Sequence, residues 1–106
     1  MTENNNFSLT KLFAEMKFNA QNLDSKKSYT SYLASLESED ITKKFMEEAY
    51  ELSLAAVEKE RHKGSKENVI AEASDVIYHL LAVLLNRNVE FSEVMTELEK
   101  RNKKLK

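Results

Sequence analysis

The chain of 106 residues contains no cysteine, no proline and a single glycine. The absence of cysteine excludes disulfide bonds, cysteine-ligated zinc and a thiol nucleophile, and it fits a reducing compartment. Strand-rich folds need glycine and proline for their turns, and doubly wound α/β folds need glycine at their phosphate-binding loops. The shortage of both residues therefore predicts an all-α protein.

Neither sign of charge dominates, because 16 basic residues stand against 18 acidic ones and leave a formal net charge of −2. A dedicated nucleic-acid-binding protein would carry a clustered basic excess, so we expect no nucleic-acid partner. The N-terminal residues lack the basic segment and the following apolar segment of an export signal. The longest strongly apolar run, Val76 to Leu85, is shorter than the roughly 20 residues that cross a bilayer. We therefore expect a cytoplasmic protein with no membrane partner.

Apolar spacing and cap residues divide the chain into four clear helices and one shorter helix, all within a single domain. Residues 1–7 are expected to form a flexible tail. The predicted helices cover residues 8–20, 28–36, 38–63, 66–86 and residue 92 to the basic C-terminal stretch. Ser8, Ser38 and Ser65 are the predicted N-caps, and Gly64 is the predicted cap at the end of the 38–63 helix.

The predicted helix 66–86 combines an apolar surface over more than half of its circumference with one narrow polar stripe. The stripe consists of Glu72, Asp75 and His79, at spacings of three and four residues. A helix this apolar is expected to be buried on most sides, as at the centre of a bundle. Burying two carboxylates there is costly unless they are paired or bind a metal.

A second group of acids, Glu47, Glu48 and Glu51, lies within about one quadrant of the preceding helix. Like charges three or four residues apart repel each other, so an ordinary solvated surface would alternate glutamate with lysine. Taken alone, however, this group is most simply a solvated face. The alternative is that it contributes to a site shared with the neighbouring helix.

Glu72 and Asp75 also have an ordinary interpretation, a buried ion pair with Lys43 or Lys44. Taken together, the motifs E-E-x-x-E and E-x-x-D can present four or five carboxylates on facing surfaces. An oxygen-rich set of this kind suits Mg²⁺ or Mn²⁺ better than zinc or copper. The pair of motifs therefore predicts a divalent-metal site between the two long helices. We expect His79 to be a hydrogen-bonded core residue, or to orient a carboxylate from outside the ligand set, rather than to bind the metal itself.

The two acidic motifs and their flanks resemble the MazG-type all-α NTP pyrophosphohydrolases, and most closely the phosphoribosyl-ATP pyrophosphohydrolases of histidine biosynthesis. The similar segments are Ser-Tyr-Thr at 28–30, Lys-Lys-Phe-Met-Glu-Glu-Ala at 43–49, Glu-Ala-Ser-Asp-Val-Ile-Tyr-His-Leu-Leu at 72–81 and the closing helix at 91–101. The resemblance covers residues 8–103. Met46 stands where the family usually has glycine and could narrow the pocket beside the acids, and the family's glycines near Ser38 and Asn88 are missing.

The resemblance implies a MazG-like bundle that binds a nucleotide substrate derived from ATP. The implied reaction is the Mg²⁺-dependent hydrolysis of phosphoribosyl-ATP to phosphoribosyl-AMP and pyrophosphate, the second step of histidine biosynthesis. It also implies metal ligands at Glu48, Glu51, Glu72 and Asp75. Glu47 is then the candidate catalytic residue that holds or deprotonates the attacking water.

The candidates for substrate binding share a cationic group or a hydroxyl. They are Ser28, Tyr29, Thr30, Lys43, Lys44 and Arg101. The lysines would neutralise triphosphate charge, and the three hydroxyls would contact the ribose-phosphate end. The ordinary alternatives are solvated lysines and a surface arginine that offsets the helix dipole.

A chain of this length has a limited core of its own, so its apolar central helix predicts a homodimer that completes a bundle of four to five helices. The resemblance implies the same. Three other functions were weighed: a house-cleaning pyrophosphatase for non-canonical NTPs, a di-iron or di-manganese bundle, and a non-catalytic helical dimerisation module. The di-metal bundle needs E-x-x-H pairs, but Val76 occupies the position three residues before His79.

Overall fold

The computed structural model describes residues 6–57 and 65–105, and within those ranges every regular element is helical. The elements are α1 (Leu9–Asn22), α2 (Tyr29–Ser35), α3 (Ser38–Val57), α4 (Ser65–Asn86) and α5 (Phe91–Leu105). The all-α class and the order of the helices are therefore confirmed. The predicted end of the third helix near residue 63 and its Gly64 cap lie outside the described residues.

Serine side chains cap the first two helices, as polar N-cap residues commonly do. Ser8 accepts a hydrogen bond from the backbone N–H of Lys11 at 3.1 Å, as predicted. Ser28 accepts one from the backbone N–H of Ser31, also at 3.1 Å. Each cap satisfies a backbone donor that the first turn of a helix leaves without a partner.

Several predicted helix bounds are wrong by one or two residues. α1 continues past residue 20 to Asn22, and Ser65 is already helical rather than a cap. Ser38 is also helical, because the carbonyl of Glu37 accepts the first backbone hydrogen bonds of α3. α5 begins at Phe91, one residue before the predicted start at residue 92. The backbone N–H of Glu90 donates there to the Glu93 carboxylate at 2.9 Å.

The turn after α4 is a Schellman motif built on Asn88, whose φ angle is 60°. The backbone N–H of Val89 donates to the carbonyl of Leu84 at 2.9 Å, and that of Asn88 donates to Leu85 at 3.2 Å. Asparagine accepts this left-handed conformation more readily than most residues do. The chain can therefore turn here without the glycine that its resemblance to the family suggests.

The core lies where α1, α2 and α4 meet, with the start of α5 packed against it. Its buried apolar residues are Phe13, Met16, Leu33, Ile41, Leu81, Ala82 and Phe91. The rings of Phe13 and Phe91 lie 6.1 Å apart and join α1 to α5. α3 contributes only Ile41 to this core, although it packs extensively along α4.

α4 is only partly covered within a single protomer, and the predicted burial on most sides would need the second copy of the expected homodimer. Ile70, Ile77 and Leu80 on α4 are exposed. The reason is that α3 covers one side of α4, while the short α2 reaches only the part of α4 from residue 78 onward. A continuous apolar part of α4 is therefore left without a neighbour.

α4 is longer than its most apolar run, which extends from Val76 to Leu85. The stretch Lys66–Asn86 is long and apolar enough to cross a bilayer by length and composition alone. Little of that stretch is buried in the protomer. Glu72 and Asp75 lie in the middle of the helix, where each acid would be costly in hydrocarbon.

Candidate active site

Three carboxylates meet between the two long helices. Glu48 comes from α3, and Glu72 and Asp75 come from α4. One oxygen atom from each lies within 4.8 Å of the other two. Glu48 and Glu72 are half-buried, and Asp75 is exposed to solvent. We refer to these three residues as the carboxylate cluster.

The cluster carries uncompensated negative charge. The pKa of Glu72 is raised, first by partial desolvation and then by the charges of Asp75, Glu51 and Glu48. Glu51 is therefore a neighbour of the cluster, although its carboxylate lies outside the group of three. The structure thus brings three of the four predicted metal ligands together, and Glu51 is near enough for its charge to act on Glu72.

The predicted alternative of an ion pair with a lysine is not found. Among residues 6–57 and 65–105, the ion pairs join Lys17 to Glu90, and Glu97 to both Lys100 and Arg101. None of them involves Glu72 or Asp75 within the described part of the chain. The two acids of α4 therefore lie close together there without a cation beside them to offset their charge.

Glu47 lies on a different face of α3. It lines an open groove of about 470 Å³ together with Lys43, Met46 and Tyr50. Met46 is 68% exposed in this groove. It lies beside Glu47 rather than beside Glu48, so the expected narrowing of the pocket next to the cluster is not seen in the protomer.

The two lysines predicted to bind substrate, Lys43 and Lys44, also lie on different faces of α3. Lys43 is exposed in the outer groove, whereas Lys44 is half-buried and close to Tyr29. The pKa of Tyr29 is raised, chiefly by burial, while the charge of Lys44 lowers it and that of Glu48 raises it. Lys44, Tyr29 and Glu48 therefore share one electrostatic neighbourhood, and Lys44 is the lysine that the structure places near the cluster.

His79 is buried and connects Tyr29 to the backbone of Asp75. Its Nδ1 lies 2.8 Å from the Asp75 carbonyl oxygen, which can only accept, so Nδ1 carries the proton. In the neutral imidazole, Nε2 then accepts a hydrogen bond from the Tyr29 hydroxyl at 3.1 Å. The predicted hydrogen-bonded core role fits this geometry, and any effect on the Asp75 carboxylate would act through the backbone.

The other hydroxyls of the Ser-Tyr-Thr segment bond within the protein. The hydroxyl of Ser28 caps α2, and Thr30 is buried with its hydroxyl bonded to that of Tyr78. Arg101 is exposed on α5, which packs against α1 rather than belonging to the α3–α4 pair, and it donates to Glu97 at 2.9 Å. Substrate contacts by Ser28, Thr30 and Arg101 remain predictions.

One residue near the site escaped the sequence analysis. The ring of Tyr32 lies 6.0 Å from that of Tyr29, nearly parallel to it. The spacing of three residues on one short helix was the available signal, because residues three apart lie on the same face. Tyr78, which the sequence suggests is a core residue, stacks on the same tyrosine at 6.1 Å.

Helices that gather two glutamates and an aspartate define an all-α protein with a candidate site for a divalent cation, and sequence comparison specifies the family. Residues 9–102 match the family model described as phosphoribosyl-ATP pyrophosphohydrolase. The phosphoribosyl-ATP pyrophosphatase of Listeria monocytogenes is 38% identical over 97 residues, which cover 92% of this chain and 87% of that protein. The chain belongs to the phosphoribosyl-ATP pyrophosphohydrolase family.

Other relatives are longer proteins. The histidine biosynthesis bifunctional protein HisIE of Staphylococcus aureus is 38% identical over 98 residues, 92% of this chain and 44% of the relative. The protein of the same name from Caldanaerobacter subterraneus is 39% identical over 77 residues, 73% of this chain and 35% of the relative. The chain thus spans less than half the length of these bifunctional relatives.

Proposed function

We propose that this chain hydrolyses phosphoribosyl-ATP to phosphoribosyl-AMP and pyrophosphate, as the second step of histidine biosynthesis. The observation that carries the proposal is the convergence of Glu48, Glu72 and Asp75 within 4.8 Å in a chain of this family. Clustered carboxylates bind the divalent cations that phosphoryl-transfer enzymes commonly use. The printed name of the Listeria relative supports the same substrate.

The donor set fits Mg²⁺, with Mn²⁺ as the second candidate. One oxygen from each of Glu48, Glu72 and Asp75 lies within 4.8 Å of the other two, so these three carboxylates could together hold one small divalent cation, which prefers oxygen ligands. When bound, Mg²⁺ would neutralise phosphate charge and polarise the phosphoryl oxygens.

Within this proposal, Glu48, Glu72 and Asp75 hold the metal, and Glu51 joins them by turning its side chain toward the cluster. The pKa of Glu72 is raised first by desolvation and then by the charges of Asp75, Glu51 and Glu48; a cation among these carboxylates would offset the second cause. Lys44, half-buried beside Glu48, is placed to pair with a phosphate oxygen. Its sequence neighbour Lys43 faces the outer groove and is the weaker candidate.

We assign Glu47 to the attacking water, as the residue that holds it or accepts its proton. Adjacent helical residues point about 100° apart, so the carboxylate must swing from the outer groove toward the side of Glu48 to reach it. A glutamate side chain has three rotatable bonds, which makes this movement feasible without a change in α3. A carboxylate beside metal-bound water needs only modest basicity to act as a general base.

The active form is proposed to be a homodimer in the cytoplasm, without a nucleic-acid or membrane partner. α4 exposes Ile70, Ile77 and Leu80, and α3 exposes Met46 and Tyr50. Large apolar side chains exposed on two packed helices are candidates for an interaction surface. Pairing of two copies through these helices would cover the part of α4 that a single protomer leaves bare.

The test is pyrophosphate release from phosphoribosyl-ATP with Mg²⁺, run beside ATP and dITP. Glu48→Gln and Asp75→Asn should each lower kcat by at least about a hundredfold, because each removes a charge from the metal site. Glu15→Gln, which changes an exposed acid on α1, is the matched control and should keep full activity. Release only from dITP would move the function to nucleotide-pool cleaning. No release from any substrate would refute the enzyme assignment and favour a dimerisation module.

A second readout tests the metal site without catalysis. At 100 times its Kd, Mg²⁺ that binds only the folded chain adds about 2.7 kcal/mol to the free energy of unfolding. The thermal midpoint of the wild type should therefore rise on titration with MgCl₂, and that of Asp75→Asn should rise much less. An equal rise in both chains would place the cation elsewhere.

A further inference from the structure

Three tyrosine rings form a stack on the side of α2 that faces α4. Tyr29 is the middle ring, with Tyr32 at 6.0 Å and an interplanar angle of 26°, and Tyr78 at 6.1 Å and 12°. His79 meets Tyr29 edge-on, with the ring centres 5.8 Å apart. The hydrogen bond from the Tyr29 hydroxyl to His79 also fixes that ring. We call Tyr29, Tyr32 and Tyr78 the tyrosine platform.

The platform is ordered by its neighbours and yet remains open to solvent. Tyr29 is 50% exposed and Tyr32 is 39% exposed. Large aromatic side chains contribute most to stability when they are buried. The proposed chemistry of the carboxylate cluster does not involve the rings of Tyr29 and Tyr32, so their exposure needs a separate explanation.

The platform borders the carboxylate cluster. Tyr78 and His79 follow Asp75 by three and four residues on α4, which is about 6 Å along a helix axis. On the side of α3, Lys44 and Glu48 are near enough for their charges to act on Tyr29. A ligand whose phosphates lie at the cluster could therefore extend over the two exposed rings.

We propose that Tyr32, held in place by the ring of Tyr29, binds the adenine ring of the nucleotide substrate by stacking on its outer face while the phosphates lie at the carboxylate cluster. This inference rests on the proposed function and adds a base-binding subsite to it. Purines stack well on aromatic side chains, and the contact tolerates substituents on the base because it uses the π-face.

This proposal differs from a role for the hydroxyls of the Ser-Tyr-Thr segment. The Tyr29 hydroxyl is already bonded to His79, and that of Thr30 to Tyr78. The rings, in contrast, have exposed surface to offer. The Tyr29 hydroxyl thus fixes the Tyr29 ring that supports Tyr32, and the Tyr32 ring makes the contact with the base.

The experiment compares the binding of ATP with that of inorganic tripolyphosphate, which shares the phosphate chain and lacks the base. Both ligands are titrated in the presence of Mg²⁺ into the full chain by calorimetry. The variants are Tyr32→Ser, which removes a ring, and Tyr32→Phe, which restores it without the hydroxyl. Phe18→Ser removes an exposed aromatic ring on α1 and is the matched control. Thermal unfolding of each variant verifies that it is folded.

We expect the wild type to bind ATP about tenfold more tightly than tripolyphosphate, since stacking of one base on an aromatic side chain accounts for such a factor. Tyr32→Ser should lose most of this preference with the Kd of tripolyphosphate unchanged, whereas Tyr32→Phe and Phe18→Ser should retain it. Equal Kd values for both ligands in the wild type, or a full preference in Tyr32→Ser, would overturn the proposal.

The two hypotheses can fail separately. A chain that prefers ATP through Tyr32 but releases no pyrophosphate from phosphoribosyl-ATP would refute the proposed reaction and support the platform. A chain that hydrolyses phosphoribosyl-ATP but shows no base preference dependent on Tyr32 would do the opposite.

Discussion

At the scale of single residues, Glu72 is the member of the carboxylate cluster whose pKa is raised by its surroundings. Partial desolvation and the charges of Asp75, Glu51 and Glu48 raise its pKa. Between the ordinary glutamate pKa of about 4.3 and the raised value, the folded chain binds more protons than the unfolded chain. The free energy of unfolding contributed by this group therefore falls as the pH rises through that window.

Glu72→Gln removes the group that titrates. In the presence of a chelator at neutral pH, we expect the variant to have a thermal midpoint at least as high as that of the wild type. The decline of stability above about pH 4.3 should also be shallower. Thermal unfolding in EDTA across this pH range measures both effects, with Glu15→Gln as a control that changes an exposed acid on α1. A lower midpoint in Glu72→Gln would contradict the argument.

Asn86 ties the end of α4 to the end of α2. Its side-chain nitrogen donates to the carbonyls of Leu33, Ala34 and Leu36 at 2.9 to 3.3 Å. Asn86→Ala removes this donor from the partly buried carbonyls of Ala34 and Leu36, while that of Leu33 keeps its bond from the Leu36 backbone N–H. We therefore expect the variant to lower the free energy of unfolding by about 1–2 kcal/mol. Urea unfolding measures the loss.

The matched control for Asn86→Ala is Asn22→Ala. The Asn22 side chain also donates to a backbone carbonyl, that of Phe18, but at an exposed position. Asn22→Ala should lower the free energy of unfolding by less than about 0.5 kcal/mol. Similar losses of unfolding free energy in Asn86→Ala and Asn22→Ala would mean that burial of the carbonyls at the end of α2 does not strengthen their hydrogen bonds.

Sequence spacing predicted which acids meet but not which neighbour faces the site. The spacing of E-x-x-E and E-x-x-D places side chains on one side of each helix, so the convergence of Glu48, Glu72 and Asp75 could be foreseen. The choice between Glu47 and Glu48, like that between Lys43 and Lys44, depends on the rotation of α3 against α4. That rotation is set by tertiary packing, which hydrophobic periodicity defines only to within about a residue.

At the scale of elements, the turn between α4 and α5 depends on the left-handed backbone of Asn88. Asn88→Gly keeps access to this conformation and should change stability by less than about 0.5 kcal/mol. Asn88→Val places a β-branched side chain there, which we expect to cost about 1–2 kcal/mol. Urea unfolding of the two variants tests the difference. A valine variant as stable as the glycine variant would show that the turn can adopt another conformation.

The helices themselves were largely predictable, because their capping serines and apolar spacing are local signals. Ser8 and Ser28 cap their helices through bonds to residues three positions later. The errors arose where other groups replaced the expected cap. The backbone carbonyl of Glu37 accepts the first hydrogen bonds of α3, so Ser38 lies inside the helix and not at its cap. The Glu93 side chain accepts from the backbone N–H of Glu90, and α5 begins at Phe91.

At the scale of the whole molecule, the amount of apolar surface on α4 was foreseen and its burial was not. The sequence predicts a central helix covered on most sides, yet Ile70, Ile77 and Leu80 are exposed in the protomer. Composition shows that such surface must be covered, but it cannot show whether the cover comes from the same chain. The structure leaves this surface bare in the protomer, so it is the surface that the second copy of the predicted homodimer would have to cover.

The exposed apolar surface therefore predicts that oligomeric state depends on α4. Ile70, 56% exposed, is the point at which to test it, because Ile70→Lys buries a charge only if a partner covers the position. We expect the wild type to sediment as a dimer and Ile70→Lys to raise the dimer dissociation constant at least about tenfold, the effect of about 1.4 kcal/mol. Leu98→Lys makes the same type of change on exposed α5 and should leave the dimer intact. A monomeric wild type would refute the dimer, and dissociation by Leu98→Lys alone would place the interface away from α4.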